Sequence, residues 1–294
     1  MNILLTGGSG LIGSKLVEKL IEEGHKVRIL TREQDVHPPF YNWNNDKIDE
    51  KAFEDLDGII HLAGATISKR WTKSYKAEII NSRVNTANLL YKYVEKLKPH
   101  LKFFISASGT AYYGQITSDK IFDENDSNYP DFLSDVSVKW ENAANQFKDF
   151  GARVVCLRTS LVLAKNGESF KLLKKPIELY VGANLGTGKQ WFPWIHIEDL
   201  ISLYAKAVDD ISLNGSYNAS SPDMINHSQF NHQLAKHLNK PFYMPNIPAF
   251  VMKTVLGEMS VLVLEGSRIS PQKIQEAGYV FKFPTLEEAL GDLI

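Results

Sequence analysis

Along the chain, short continuous apolar runs alternate with longer stretches in which apolar residues recur every three or four positions. Residues 2–6 form an apolar run closed by Gly7 and Gly8, the pattern of a strand buried on both faces. From there the period changes. Leu11, Ile12, Leu16, Leu20 and Ile21 recur at helical spacing, and Glu22-Glu23-Gly24 ends the segment on a glycine stop. Residues 26–31 predict a second strand, and runs at 57–62, 101–106 and 153–157 predict three more. Helical periodicity fills residues 73–96 and 133–150. Strands alternating with helices predict an α/β chain with a doubly wound parallel sheet covered on both faces.

The C-terminal third is less regular. Glycines at 167, 182, 186 and 188 predict a long loop over residues 161–189, laid across a cleft. Residues 197–208 predict a helix and 215–219 a strand that returns to the main sheet. An amphipathic helix with an Asn or Ser cap is expected over 226–238, followed by a proline-rich extended stretch at 241–248. Val251, Met252, Val255, Leu256, Met259, Leu262 and Val263 form an apolar stripe, which reads as core or as the face of a homodimer. A short last helix is expected from Ser270, with Pro271 in its first turn. The expected division is a nucleotide-binding domain over 1–165, rejoined by 195–220, and a smaller α/β substrate-type domain over 166–194 and 221–294.

Composition narrows the function classes. The 294 residues carry 33 basic and 34 acidic side chains, so bulk positive charge does not drive nucleic-acid binding. A single cysteine, Cys156, excludes an intrachain disulfide and a multi-cysteine metal site. It lies in an apolar run, where a buried thiol is expected, and no metal site is predicted. No run approaches the roughly 20 apolar residues that span a bilayer. With no basic leader or cleavage site before the first strand, a cytoplasmic protein without a membrane partner is expected.

The most informative segment is Thr6-Gly7-Gly8-Ser9-Gly10-Leu11-Ile12-Gly13. It joins a strand to a helix, the context a dinucleotide-binding turn requires. Gly7 and Gly10 leave room for a pyrophosphate, Gly13 lets the helix pack close, and the helix start offers free N–H groups to phosphate. A P-loop is excluded, because Gly13 is followed by Ser14-Lys15 rather than by Lys and then Ser or Thr. Thr31-Arg32 ends the second strand, with Arg32 nineteen residues after Gly13. An acidic residue there holds a ribose diol; a guanidinium suits a 2′-phosphate, so NADP(H) is expected over NAD(H). A solvated surface arginine is the plainer alternative.

Residues that follow the other strands complete a candidate cleft, because ligands of open parallel sheets bind at the strands' carboxyl ends. His61-Leu62-Ala63-Gly64 follows one strand. Ser106-Ala107-Ser108-Gly109 leads from the next to Tyr112-Tyr113-Gly114. With the glycine turn, these motifs resemble the extended short-chain dehydrogenase/reductases, the group of NAD(P)-dependent nucleotide-sugar epimerases and dehydratases. Arg70-Trp71-Thr72, Asn81-Ser82-Arg83-Val84, Arg158-Thr159, the 191–199 run with Trp191, Trp194 and His196, and Arg268-Ile-Ser-Pro271 resemble an atypical branch. Its members are called epimerase family proteins and carry a C-terminal domain of unknown function. The resemblance covers the whole chain. It implies a Rossmann fold, an NADP(H) site that includes His61, Leu62, Ala63, Gly64, Ser106 and Arg158, and a small hydroxyl or carbonyl substrate.

The catalytic pattern of that superfamily is incomplete here. It uses a Ser or Thr with Tyr-x-x-x-Lys on one helix, where nearby positive charge brings a phenol of pKa near 10 into use at neutral pH. Ser108 fits the serine. Counting 25 residues on, Leu133 stands where the tyrosine is expected and Ser137 where the lysine is, with Glu141 fitting a family glutamate. Three explanations remain: Tyr112 or Tyr113 carries the proton; another group such as His196, Arg70 or Lys139 does; or the chain binds NADP(H) without turnover. Arg70, Trp71, Trp191, Trp194, His196 and Arg268 are the candidate substrate contacts.

Overall fold

The computed structural model describes residues 1–33, 36–44 and 46–294. Strand β1 (Asn2–Thr6) leads through the glycine turn into α1 (Leu11–Glu22), followed by β2 (Lys26–Thr31) and β3 (Phe40–Asn42). Next come β4 (Gly58–His61), α2 (Lys73–Leu97), β5 (Phe103–Gly109), the two-residue β6 (Ile121–Phe122), α3 (Phe132–Asn145) and β7 (Arg153–Thr159). The remainder holds β8 (Leu161–Leu163), α4 (Glu168–Glu178), β9 (Trp194–His196), α5 (Ile197–Asp209), β10 (Gly215–Ala219) and α6 (His227–His237). It closes with α7 (Ala249–Leu256), α8 (Val261–Leu264), β11 (Arg268–Ile269), α9 (Gln272–Glu276) and α10 (Leu286–Leu293).

Seven parallel strands form the central sheet in the order β10-β7-β5-β4-β1-β2-β3, a Rossmann-like α/β fold. The chain moves outward one way from β1 and then returns to lay β4 on its other side. A crevice therefore opens past the carboxyl ends of β1 and β4. The period-two alternation explains why these strands read as continuous apolar runs. Ile3, Leu5 and Ile105 face α1 and α5, among Leu16, Leu20, Leu200 and Tyr204. Leu4, Phe104 and Val154 face α2 and α3, among Leu90, Ala144 and Phe147. Cys156 is buried in that second layer.

A separate core gathers Leu163, Phe170, Ile177, Trp194, Phe230, Leu234, Leu286 and Leu290. It departs from the sequence expectation at three places. Residues 161–189 are not one long loop: β8 pairs with β9, and α4 buries Phe170 and Ile177, with Leu173 packed against them. The glycines at 167 and 182 flank that helix rather than interrupt it. The apolar stripe is not core along α7, none of whose residues is buried; Phe250 is 69% and Val255 67% exposed. Eight residues packed mainly against the turn that follows cannot bury a face. Finally, α9 is not the last helix. α10 follows, started by a reciprocal cap between Thr285 and Glu288.

As expected, β10 returns to the sheet beside β7, and Asn226 caps α6. Among the described residues no helix is long and apolar enough to cross a membrane.

Candidate functional site

The glycine turn is shaped by close approach. Gly7 has a φ of +77°, and a Cβ there would meet the backbone of Leu62 and Ala63 at 3.1 Å. A Cβ on Gly13 would stand 2.1 Å from the Gly7 carbonyl oxygen, so the first turn of α1 can pass the loop only without a side chain. Helix α1 begins at Gly10 with no side-chain cap, as do α4, α7, α8 and α9 at their own starts, whereas Thr72, Asp131, His196, Asn226 and Thr285 cap α2, α3, α5, α6 and α10. Apart from the Gly10 N–H, which donates to the Gly7 carbonyl at 3.1 Å, the first-turn amides have no side-chain acceptor, and a helix start of this kind suits a pyrophosphate. Ser9, Gly10 and Leu11 are exposed at its lip, Ile12 is half-buried and Gly8 packs beneath on Ile29. The residues present fit a dinucleotide.

Thr6 ties the turn to the loop after β4. Its hydroxyl accepts from Leu62 N and Ala63 N at 3.2 and 3.1 Å and bonds His61 Nδ1 at 2.8 Å. His61 Nε2 donates to the Arg83 carbonyl at 3.1 Å. The ring is fully buried. Burial lowers its pKa to about 4 despite that hydrogen bond, so His61 is neutral and braces the loop from below. Leu62, Ala63 and Gly64 are left at the cleft surface. Arg32 is exposed at the end of β2, beside the half-buried Thr31.

The expected catalytic residues converge on a buried polar cluster. Strand register aligns Ser108, Arg158 and Asn218 on β5, β7 and β10, all toward α3, where Glu141 descends to meet them. Ser108 Oγ donates to Glu141 at 2.8 Å. Arg158 grips the same carboxylate through Nε and Nη2 at 2.8 and 2.9 Å, and Ser216 Oγ adds a bond of 3.0 Å. Arg158 Nη1 donates to the Tyr113 hydroxyl, which donates on to Asn218, both at 2.8 Å. Burial pushes the Tyr113 phenol well above its usual range, and Arg158 offsets only part of that. Burial also disfavours the Arg158 charge, but the Glu141 carboxylate outweighs it and keeps the guanidinium ionised.

Arg158, expected at the cofactor, is thus committed to Glu141 and Tyr113. Ser106 is buried below the cleft with its hydroxyl on the Ala107 carbonyl. Tyr112 differs from Tyr113. It is half-buried, its ring lies 3.4 Å from the Arg158 guanidinium carbon, and its hydroxyl has no hydrogen bond among the described residues.

On α3, Leu133 and Ser137 are buried, and Ser137 Oγ donates back to the Leu133 carbonyl. Lys139 pairs with Asp135 on the exposed side, away from the cleft. The substrate candidates divide. Trp71 packs on Phe132 with Arg70 exposed beside it, and Arg268 stacks 4.5 Å from the Trp191 ring. Trp194 and His196, by contrast, are corrected to the C-terminal core, beyond a substrate's reach. Trp194 packs among Phe170 and Phe230. His196 caps α5, lies 3.3 Å from Asp292 and rests on Phe283. The sequence reading missed the Glu141–Arg158 fork and the buried Arg83. Arg83 was legible as a charge on an apolar stripe, four residues after Ile79 and four before Ala87.

Comparison with known proteins bears on this geometry. Residues 3–220 match the NAD dependent epimerase/dehydratase family, and residues 247–293 match a domain of unknown function, DUF1731. An epimerase family protein of Staphylococcus aureus is 35% identical over 99% of this chain and 98% of its own length. The crystal structure of the human epimerase family protein SDR39U1, solved with NADPH, is 30% identical and covers 100% of this chain and 99% of its own, with a TM-score of 0.89. A nucleoside-diphosphate sugar epimerase of Corynebacterium glutamicum is 28% identical, with a TM-score of 0.82 over 99% of this chain and 57% of that one. A glycine cradle at the switch point of a parallel sheet, a polar cluster beneath its carboxyl edge and these matches agree, and the chain belongs to the NAD dependent epimerase/dehydratase family, in the branch that ends in the DUF1731 domain.

Proposed function

We propose that the chain is an NADP(H)-dependent oxidoreductase or epimerase-like enzyme acting on a small hydroxyl or carbonyl substrate, sugar-like or anionic. The observation that carries this reading is the helix start between Gly10 and Gly13, uncapped and passed closely by the Gly7 loop, with Arg32 exposed at the end of the neighbouring strand. The backbone of the turn would hold the pyrophosphate, Arg32 the 2′-phosphate, and the surface of Leu62, Ala63 and Gly64 the rest of the dinucleotide. When bound, the nicotinamide supplies or accepts a hydride. NADPH in the human relative supports the phosphorylated form.

Within this reading Tyr112 is the proton carrier. Ser108 and Tyr113 have hydroxyls engaged inside the Glu141–Arg158 cluster, so they position Tyr112 rather than meet substrate. The Tyr112 ring rests on a guanidinium, and its carbonyl is fixed by Ser134 Oγ at 2.6 Å. Trp191 and Arg268, close to the Tyr113 cluster through the neighbouring Ile269, would bound the substrate.

Titration with NADPH and NADH, followed by a screen of carbonyl and sugar substrates, tests this. Tyr112→Phe should abolish turnover with NADPH affinity unchanged. Unchanged turnover would remove Tyr112 from the mechanism. A second reading, an NADP(H)-binding redox sensor without turnover, is favoured by one observation: α3 presents neither phenol nor cation at positions 133 and 137. Tight NADPH binding with no turnover in any screen would select it.

A further inference from the structure

Arg83 lies in the buried stripe of α2, only 8% exposed, between Ile79 and Ala87. Its Nη1 donates to the Ile79 carbonyl at 2.8 Å, and its Nε has no hydrogen-bond partner. Among the described residues no carboxylate lies within ion-pair distance of it, whereas the other deeply buried guanidinium, Arg158, is forked onto Glu141. Burial depresses its pKa only to about 10, so Arg83 remains a cation at neutral pH. An unpaired buried charge costs several kcal/mol of folding stability, which makes its place in the fold informative.

That place is the floor of the cleft. One side of the guanidinium lies against Gly64, where a Cβ would come within 2.9 Å of its central carbon. Its central carbon also lies 4.7 Å from the centre of the Trp140 ring. Ala65 N donates to Ser82 Oγ at 2.9 Å, which fixes this part of α2 under the loop. Trp140 stands three residues beyond Ser137, almost one helical turn from where the superfamily's lysine is expected. Arg32 marks the adenosine side at β2. Arg83 sits across the switch point, between the β4 loop and α3, the side that the dinucleotide reading gives to the nicotinamide.

We propose that Arg83 supplies the fixed positive charge that α3 lacks, and that it tunes the cleft to the reduced, uncharged nicotinamide over the oxidised, cationic one. This rests on the dinucleotide reading above and deepens it. The favoured chemistry is reduction: the substrate carbonyl takes up a hydride from the dinucleotide and a proton by way of Tyr112, becoming an alcohol, and the dinucleotide leaves oxidised. A freely reversible epimerisation would call for both redox forms to be held alike.

The test compares wild type, Arg83→Lys, Arg83→Gln and Arg83→Met as full-length chains, each titrated with NADPH and NADP+ by calorimetry, without substrate. A unit charge acting over roughly 10 Å at an effective dielectric near 20 would change the ratio of the two dissociation constants on the order of tenfold. The wild type should prefer NADPH, Arg83→Gln should lose that preference about tenfold, and Arg83→Lys should keep most of it. An unchanged ratio in Arg83→Gln overturns the proposal. Binding of neither form by the wild type overturns the cofactor reading instead. Thermal unfolding without dinucleotide separates a scaffold role. Arg83→Met should melt at or above the wild-type temperature, because the unpaired buried charge is gone, and a markedly lower melting temperature would assign Arg83 to the scaffold and overturn the proposal.

Discussion

Replacing Glu141 by Gln perturbs the site at its hub. The carboxylate accepts four hydrogen bonds: from Ser108 at 2.8 Å, from Arg158 at 2.8 and 2.9 Å and from Ser216 at 3.0 Å. Glutamine keeps the shape but turns one acceptor into a donor facing donors, and it leaves the buried Arg158 without a counter-charge. Removing one partner of a buried ion pair costs about 3–5 kcal/mol, because the remaining charge is stranded. For a chain of this size that lowers the melting temperature by roughly 5–8 °C. Denaturant unfolding at pH 7 without ligand, fitted for stability and slope, reads the effect directly. Ser108→Ala is the comparison, since it deletes one bond and leaves the pair intact, at a cost of about 1 kcal/mol. A Glu141→Gln chain within about 1 kcal/mol of wild type, or a Ser108→Ala chain equally destabilised, would refute this account of the cluster.

Three other outcomes are expected. Gly13→Ala forces a Cβ to within 2.1 Å of the Gly7 carbonyl and should weaken NADPH binding at least about tenfold, while Gly291→Ala, with nothing within 4 Å, leaves it unchanged; calorimetric titration of both variants checks this. His61 and His227 are buried, with pKa values lowered to about 4 chiefly by desolvation. Both are neutral in the folded chain, so their contribution is complete above about pH 6.5 and is lost as the unfolded chain takes up protons between there and about pH 4. A His61→Gln chain should therefore lose less stability than wild type between pH 7 and pH 5, and equal losses in urea unfolding would sink the assignment. Asp199 accepts from Tyr279, Lys282 N and Phe283 N, so Asp199→Ala should release the approach to α10, seen as faster amide exchange across residues 279–293 with the main sheet unaffected.

The sequence was most legible where local pattern and tertiary environment agree. The continuous apolar runs announced strands buried on both faces, and the glycine turn was readable because its chemistry is backbone chemistry, set by missing side chains. The 161–189 segment was misread because four glycines outweighed the short periodicity of Phe170, Leu173 and Ile177, and α10 was missed although Thr285 and Glu288 spell its cap. Around Ser108 the failure was of another kind. Its partner Glu141 lies 33 residues away and Arg158 fifty, and only the β5–β7 register together with the packing of α3 on the sheet brings them together. Trp194 and His196 looked like cleft residues because aromatic runs near strand ends often are, yet β9 pairs with β8 outside the main sheet and turns both inward.

The central claim is that the Gly7–Gly13 cradle and Arg32 together bind NADP(H). The most direct test is fluorescence titration of the purified chain with NADPH and with NADH, repeated on Arg32→Ala. The account predicts tight binding of NADPH, weak binding of NADH and a collapse of that difference in the variant, with circular dichroism unchanged. Equal affinities in the wild type, or an Arg32→Ala chain that still prefers NADPH, would contradict it.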